Sequence, residues 1–155
     1  MSINKNNKIK SRKPHLSLGA GVVVYNSKTN EMLLVKDRYH KYWGFPKGGI
    51  DKTDKSAKHA AVRELHEETG INIKVSQLNP NFYAKTFAED IKNGHLRHRI
   101  VHFYEYSISS SKNPKVKLQE SELSEYVWAS PQKAYQLLET EFQFPILMAF
   151  TNKFK

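Results

Sequence analysis

The sequence predicts an α/β fold of the α+β type, a sandwich in which helices pack on a sheet. Segments with the composition of strands lie on both sides of one helical segment, at about residues 55–69, and a second helical segment follows near the carboxyl end. The chain has 155 residues, which is sufficient for one domain with a single core. A single sandwich is therefore the expected architecture.

The strands are indicated by runs of β-branched residues or by alternation of apolar and polar residues. They are predicted at residues 19–25, 32–35, 71–75, 83–87, 99–108 and 126–129. Turn-forming residues separate the first two of these segments, and others occur within residues 89–94. We therefore expect two antiparallel pairs, one before the helical segment and one after it.

Two helices are expected near the carboxyl end, and a leader is expected at the amino end. The Ser-Pro pair at residues 130–131 is a favourable start for a helix that runs through Leu138. An amphipathic helix is predicted from about Pro145. Residues 1–14 are polar and basic, so we expect a flexible leader followed by a domain over residues 15–155.

The charge balance and the absence of cysteine limit the possible classes of protein. Lysine and arginine exceed the acidic residues by 25 to 15, a net charge of +10, which favours a polyanionic partner such as nucleic acid or a phosphate-rich small molecule. The chain has no cysteine, which excludes disulfides and thiolate metal sites. It also has no secretory signal and no apolar run of the ~20 residues that a membrane helix needs, so we expect a cytoplasmic protein with no membrane partner.

The helix at about residues 55–69 has a recognisable beginning and end. Thr53 or Asp54 is a plausible N-cap, and Gly70 follows the last turn. Its first half carries a stripe of alanines that favours close packing, and its second half continues this face with Glu64, Glu67 and Glu68.

These three glutamates have the spacing of a convergent group on one helix face. Like charges beside a packed surface repel each other, and burying them is costly unless a cation offsets them. Clustered carboxylates suit Mg²⁺ or Mn²⁺, and Arg63 is placed to orient one of them. The alternative is a solvated helix face, but the glycine-rich loop at residues 44–49 favours a site. There, Gly48 and Gly49 allow a ligand to approach the backbone, and a carbonyl group could complete a metal shell.

The segment at residues 48–71 resembles the Nudix box. Residues 63–71, Arg-Glu-Leu-His-Glu-Glu-Thr-Gly-Ile, fit the second half of that motif at every position. In the first half, the motif's early glutamate falls on Lys55 when counted back from Arg63, or on Asp54 when counted forward from Gly48 with one inserted residue. We prefer Asp54.

The resemblance implies a Nudix-type α/β/α sandwich with a mixed sheet and a pyrophosphohydrolase that uses Mg²⁺ or Mn²⁺. It implies that Glu64 and Glu68 ligate the metal. Glu67 would be a ligand or the base that activates water, and we assign the base to Glu67. Glu122 lies where related sequences often place another acid near the metal; the alternative is a surface glutamate.

Residues 43–54 resemble the loop of diadenosine polyphosphate and diphosphoinositol polyphosphate phosphohydrolases, and residues 98–105 resemble the strand after the box in that subgroup. Basic residues of this strand face the phosphates there. The candidate phosphate-binding side chains are, in order, Lys47, His98 and Arg99, then Lys36, Arg38 and Arg97. The candidates for stacking on a base are Tyr39, Tyr42, Trp43 and Tyr83.

Three functions remain open. The first is hydrolysis of a dinucleoside polyphosphate or diphosphoinositol polyphosphate. The second is hydrolysis at an RNA 5′ end, because the loop also resembles that of messenger-RNA decapping members and of bacterial RNA pyrophosphohydrolases, and because the leader is basic. The third is a non-catalytic module that binds phosphate or RNA.

Overall fold

The structure, a computed structural model, describes residues 11–138 and 146–147. Its strands are β1 Ser11–Asn26, β2 Glu31–Asp37, β3 Trp43–Gly44, β4 Lys47–Gly49, β5 Ala84–Lys92, β6 His95–Ile108 and β7 Leu123–Ala129. Its helices are α1 Ala57–Thr69 and α2 Pro131–Leu137, with a 3₁₀ turn at Val75–Gln77. No helix in these described residues is long and apolar enough to cross a membrane.

The described strands form one mixed sheet. Its main path runs in the order β3-β2-β1-β6-β5, with β4 also paired to β1 and β7 to β2. The long strands β1 and β6 run parallel, with Gly19 opposite Val101, whereas β5 and β6 are antiparallel. The two predicted antiparallel pairs, β1–β2 and β5–β6, are therefore confirmed.

Helices α1 and α2 cover opposite faces of the sheet. Val22 and Val24 of β1 belong to the core beneath α1, where they join Ala60, Ala61 and Leu65. Val23 and Tyr25, which alternate with them, belong to the core beneath α2, together with Ala134 and Leu138. The predicted sandwich therefore consists of α1, the sheet and α2, and successive residues of β1 face the two helices in turn.

The ends of α1 explain its length. Ser56 is the N-cap, because its hydroxyl oxygen accepts a hydrogen bond from the backbone N–H of His59 at 3.2 Å. The prediction of Thr53 or Asp54 as the cap was therefore wrong. Gly70 ends the helix as predicted, with a left-handed φ of 76° that favours glycine.

Two other predictions differ from the structure. Residues 71–75 are not a strand, although Ile71 and Ile73 are buried and alternate with exposed residues, because this extended segment packs on the α1 core without pairing in the sheet. Strand β1 begins at Ser11, so the predicted boundary between leader and domain falls inside a strand. The helix predicted from Pro145 lies outside the described residues except for Ile146 and Leu147, which are helical and buried.

Candidate active site

Helix α1 presents its acidic side chains at different depths. Glu68 is buried, at 6% exposure, and the side chain of Glu64 is 13% exposed. The side chain of Glu67 is 46% exposed. Among the described residues, no three His, Cys, Asp or Glu side chains are gathered closely enough to hold a metal ion by themselves. The predicted convergence of all three glutamates is therefore not seen, and their role as metal ligands stays a prediction.

Arg63 binds two of the three glutamates of α1, Glu64 and Glu67. Its Nη1 donates to Glu64 at 3.0 Å and to Glu67 at 3.1 Å. Its Nε and Nη2 donate to the two carboxylate oxygens of Asp54 at 2.9 and 2.8 Å, and Nη2 also donates to the carbonyl of Gly49 at 3.0 Å. One guanidinium group thus fixes the glycine loop, the preceding turn and two helix carboxylates relative to one another.

Asp54 is the early acid of this site. Its side chain is 5% exposed, and the hydrogen bonds from Arg63 lower the pKa of Asp54 to about 2. Lys55 is exposed. The structure therefore agrees with the count that inserts one residue in the loop, and it gives Asp54 a positioning role through Arg63. The sequence placed an acid here but did not reveal its partner.

The glycine loop and α1 meet at Gly48. A Cβ atom on Gly48 would overlap the carboxyl group of Glu64, whereas a Cβ atom on Gly49 would meet nothing within 4 Å. Gly48 pairs with Ala20 of β1, which fixes the loop against the sheet. The absence of a side chain at residue 48 is therefore what allows the Glu64 carboxylate to lie against the loop.

Glu68 lies on the other side of Glu64, next to Lys47. The backbone N–H of Lys47 donates to Glu68 at 3.2 Å. Burial raises the pKa of Glu68 to about 8, although the nearby Lys47 opposes the shift, and the charges of Glu64 and Glu122 add to it. Burial likewise lowers the pKa of Lys47, and the charge of Arg99 lowers it further.

Glu122 belongs to the same electrostatic group. It is exposed, yet its charge raises the pKa of both Glu64 and Glu68. Arg38 holds its loop, because the backbone N–H of Arg38 donates to the carbonyl of Glu122 at 2.8 Å and the Arg38 side chain donates to the carbonyls of Glu120 and Leu123. The guanidinium predicted to bind phosphate is thus engaged in positioning the Glu122 loop.

The donor chemistry of Glu64, Glu68 and Glu122 suits a divalent cation, although these side chains are not gathered closely enough to hold one as they stand. Burial raises the pKa of both Glu64 and Glu68. The charge of Glu67 adds to the shift of Glu64, the charge of Glu64 adds to that of Glu68, and the charge of Glu122 adds to both. A cation among the three carboxylates would offset that repulsion and favour their ionised forms. Oxygen ligands of this kind suit Mg²⁺ or Mn²⁺.

The predicted phosphate-binding residues of β6 do not share one face. Arg99 points to the same side of the sheet as Val101 and Phe103 in the α2 core, and its charge reaches Lys47. His98 points to the opposite side, where its Nε2 lies 3.0 Å from Glu89. Arg99 and Lys47 therefore belong together, and His98 is separated from them by the strand.

Lys36 and Trp43 pair at one edge of the sheet, and Tyr83 precedes β5 at the opposite edge. Lys36 forms an ion pair with Glu125 at 3.3 Å, and its Nζ lies 5.7 Å from the centre of the Trp43 ring. Tyr39 and Tyr42 are 72% and 49% exposed, so both rings are accessible. Tyr83 is also exposed, but its hydroxyl lies 2.6 Å from His102 on the α1 side of the sheet.

Comparison with known proteins connects this arrangement to one family. Residues 15–150 match the model of the NUDIX domain. CTP pyrophosphohydrolase of Escherichia coli is 31% identical over 108 residues, which are 70% of each chain. The mRNA decapping complex subunit 2 of Schizosaccharomyces pombe is 42% identical over 62 residues, which are 39% of this chain but only 8% of that relative.

The fold is also found among solved structures. An Ap4A hydrolase of C. elegans, solved as a binary complex, superposes with a TM-score of 0.71 over 89% of this chain and 97% of that one. The sequence identity in this superposition is 21%, so the likeness concerns the fold. It confirms the predicted α/β/α sandwich with a mixed sheet.

Proposed function

The chain belongs to the Nudix domain family, and we propose that it is a metal-dependent pyrophosphohydrolase, which cleaves a phosphoanhydride bond with water. The observation that carries the proposal is the placement of Glu64 and Glu68. Both carboxylates are largely withdrawn from water between the Gly48 loop and α1, and the pKa of each is raised by burial and by the charge of Glu122. Such an arrangement is costly for folding and useful for binding a cation.

The residues divide the work of the proposed reaction. Glu64, Glu68 and Glu122 would hold Mg²⁺ or Mn²⁺. When bound, the cation screens the phosphate charge, favours ionisation of water and stabilises the leaving oxygen. Glu67 is the most exposed of the three glutamates on α1, so it is placed to accept a proton from the attacking water.

Arg63 and the basic side chains support this chemistry. Arg63 holds Glu67 at 3.1 Å and is itself fixed by Asp54, so the base has a defined orientation. Lys47 and Arg99, on one side of the sheet, provide positive charge for the substrate phosphates. Lys36 lies over Trp43, next to the exposed Tyr39 and Tyr42 loop.

The first substrate class proposed is a dinucleoside polyphosphate or a diphosphoinositol polyphosphate. The exposed Tyr39 and Tyr42 rings offer stacking surfaces for a base, which supports the first of these. Diadenosine tetra-, penta- and hexaphosphate, diphosphoinositol, nucleotide sugars and CTP should be screened with Mg²⁺ by chromatography of the products. Release of ATP or ADP from the diadenosine compounds is the expected result.

The catalytic assignment is tested by Glu67→Gln, with Glu120→Gln as a control. Glu120 is an exposed glutamate whose backbone carbonyl, and not its side chain, is bound by Arg38. Glu67→Gln should nearly abolish turnover with an unchanged circular dichroism spectrum, and Glu120→Gln should retain it. Full activity of Glu67→Gln would show that Glu67 is not the base. Turnover in excess chelator would contradict the proposed dependence on a metal ion.

A second candidate function is hydrolysis at an RNA 5′ end. It is supported by the 42% identical segment of the decapping complex subunit and by the net charge of +10. Release of m7GDP from capped RNA, but not from the free cap analogue, is the expected result. The rate should fall steeply with salt, because phosphate contacts release counterions. A flat salt dependence would count against RNA, and binding without any turnover across the whole panel would indicate a non-catalytic module.

A further inference from the structure

A basic pocket lies at the end of the β5–β6 hairpin, apart from the carboxylates of α1. Its volume is about 470 Å³. It is lined by His15, Ser17, Lys92, Asn93, His95 and Arg97. Each of these side chains has a hydrogen-bond donor or can carry one, and none is a carboxylate or an apolar group. The lining therefore suits an anionic, strongly hydrated ligand and not an apolar one.

The hairpin turn and the edge-to-face rings give the pocket a defined shape. Asn93 and Gly94 form a two-residue turn with left-handed φ values of 53° and 77°, so Lys92 and His95 are directly opposite each other. The rings of His15 and His95 meet edge to face with centres 4.9 Å apart.

Arg97 is also fixed in this wall. Its Nε donates to Asp90 at 2.8 Å, and its Nη2 donates to the second oxygen of the same carboxylate. The Asp90 carboxylate is not part of the lining, so the pocket itself presents donors. A guanidinium group that is already oriented loses less conformational freedom when it binds a phosphate.

The pocket lies on the side of β6 that faces away from α1, and Arg99 lies on this same side. His95, Arg97 and Arg99 alternate with residues that face α1, and Arg99 is the residue whose charge reaches Lys47. The pocket begins beside Arg99, because Ser17 of its lining is opposite Arg99 in the sheet. It extends to His95, which lies roughly 13 Å from Arg99 at about 3.3 Å per residue.

A row of basic side chains thus leads from Lys47, whose backbone N–H donates to Glu68, past Arg99 to the hairpin end. The row includes one carboxylate, because Asp90 pairs with Arg97 and lies 3.9 Å from Arg99.

The first residues of β1 lie at this end of the row. Ser11, the first residue of β1, pairs with His95. A polyanion bound at Lys47 and Arg99 would have to extend along β6 by roughly 13 Å to reach His95.

We propose that the pocket at the β5–β6 turn binds the phosphodiester backbone of a single-stranded nucleic acid whose 5′ end occupies the carboxylate site. The inference rests on the RNA form of the proposed function. It assigns Lys92, His95 and Arg97 to phosphates downstream of the reacting bond. Such a groove tracks the backbone and does not read the bases, so binding should depend on chain length and salt more than on sequence.

The test compares two charge reversals, Lys92→Glu in the pocket and Lys133→Glu on α2. Both lysines are exposed, and both changes alter the net charge equally. Binding of the full chain to a labelled single-stranded RNA of about 12 nucleotides with a 5′-hydroxyl is followed by fluorescence anisotropy at several salt concentrations. Lys92→Glu should weaken binding by about 10-fold more than Lys133→Glu. It should also reduce the slope of log affinity against log salt by about 0.7 for each phosphate that the variant no longer neutralises.

Equal weakening by the two variants would show general attraction to a basic protein and would overturn the proposal. Native affinity in Lys92→Glu would also overturn it. DNA of the same sequence separates the two sources of the backbone: equal binding of DNA supports recognition of phosphates alone, and preference for RNA adds recognition of the 2′-hydroxyl. Amide shifts of Asn93 and His95 on addition of RNA give an independent readout that requires no variant.

This RNA carries no phosphoanhydride, so its binding does not depend on hydrolysis. Absence of pocket binding together with intact turnover of a small substrate would remove the inference and leave the proposed function. Pocket binding without turnover of any substrate would remove the proposed hydrolysis and leave the pocket as a binding site for the nucleic-acid backbone.

Discussion

The acidic residues on the two sides of Glu64 have pKa values that are shifted in opposite directions. On one side Arg63 binds Asp54, Glu64 and Glu67, and its hydrogen bonds lower the pKa of Asp54 to about 2. On the other side Glu68 is buried beside Lys47, and burial raises the pKa of Glu68 to about 8. The ion pair of Asp54 with Arg63 therefore positions the site. The ionised form of Glu68, which burial disfavours, is the one that a bound cation can stabilise.

The largest effect is expected where the two sides meet, at Gly48. Gly48→Ala places a methyl group where the Glu64 carboxylate lies, so Glu64 must move and turnover should fall by about 100-fold or more. Gly49→Ala is the matched control, because nothing lies within 4 Å of its added carbon. Steady-state kinetics of both variants measure the difference. Similar activity of the two would mean that Glu64 is not needed at this position.

A smaller effect is expected on the paired side, at Asp54. Asp54→Asn removes the charge that holds Arg63, so turnover should fall by about 10- to 100-fold, as for other residues that orient a catalytic group. Lys55→Ala tests the alternative alignment of the box and should retain activity. A larger decrease in Lys55→Ala than in Asp54→Asn would reverse the assignment of the early acid.

The same aspartate should contribute to stability in a pH-dependent way. Because the folded pKa of Asp54 is about 2 and its ordinary value is 3.8, its stabilisation is present above about pH 4 and is lost as the pH falls through 2. Asp54→Asn should therefore lower the free energy of unfolding at neutral pH, and this difference should shrink towards pH 2. Urea denaturation at several pH values measures it, and a difference that stays constant down to pH 2 would contradict the ion pair.

The smallest effect is expected at the exposed edge of the Glu68 side. Glu122→Gln removes a charge that acts on Glu64 and Glu68, so the affinity for Mg²⁺ should fall by about 10-fold. Glu120→Gln removes an equal charge from the same loop and is the control. If the two variants bind Mg²⁺ equally well, Glu122 is a surface glutamate.

Local sequence signals predicted much of the fold. Gly70 and the Ser130-Pro131 pair marked helix ends correctly because capping depends on neighbouring residues only. The N-cap of α1 was misplaced because Asp54, a good cap by type, is bound by Arg63 nine residues later. Residues 71–75 alternate because one side is buried, and alternation does not report whether a partner strand is present.

The site was predictable in its composition and less so in its geometry. The motif identified Arg63, Glu64, Glu67 and Glu68. Spacing on a helix does not show, however, that Arg63 binds Glu67 while the backbone of Lys47 binds Glu68. We predicted that Arg38 binds phosphate, but its side chain donates to backbone carbonyls of the Glu122 loop. This loop lies more than eighty residues away in the chain. Contacts of this kind arise only from the tertiary fold.

Binding of Mg²⁺ as a function of pH tests the central claim most directly. Glu68, with a pKa raised to about 8, must lose its proton when a cation binds, so affinity should rise from about pH 6 and level off above about pH 8. Isothermal titration in two buffers of different ionisation enthalpy should detect the proton released near neutral pH, and Glu68→Gln should abolish it. The account is contradicted if native protein binds no Mg²⁺ or Mn²⁺ even with a substrate analogue, or if Glu68→Gln binds the cation as tightly and with the same proton release.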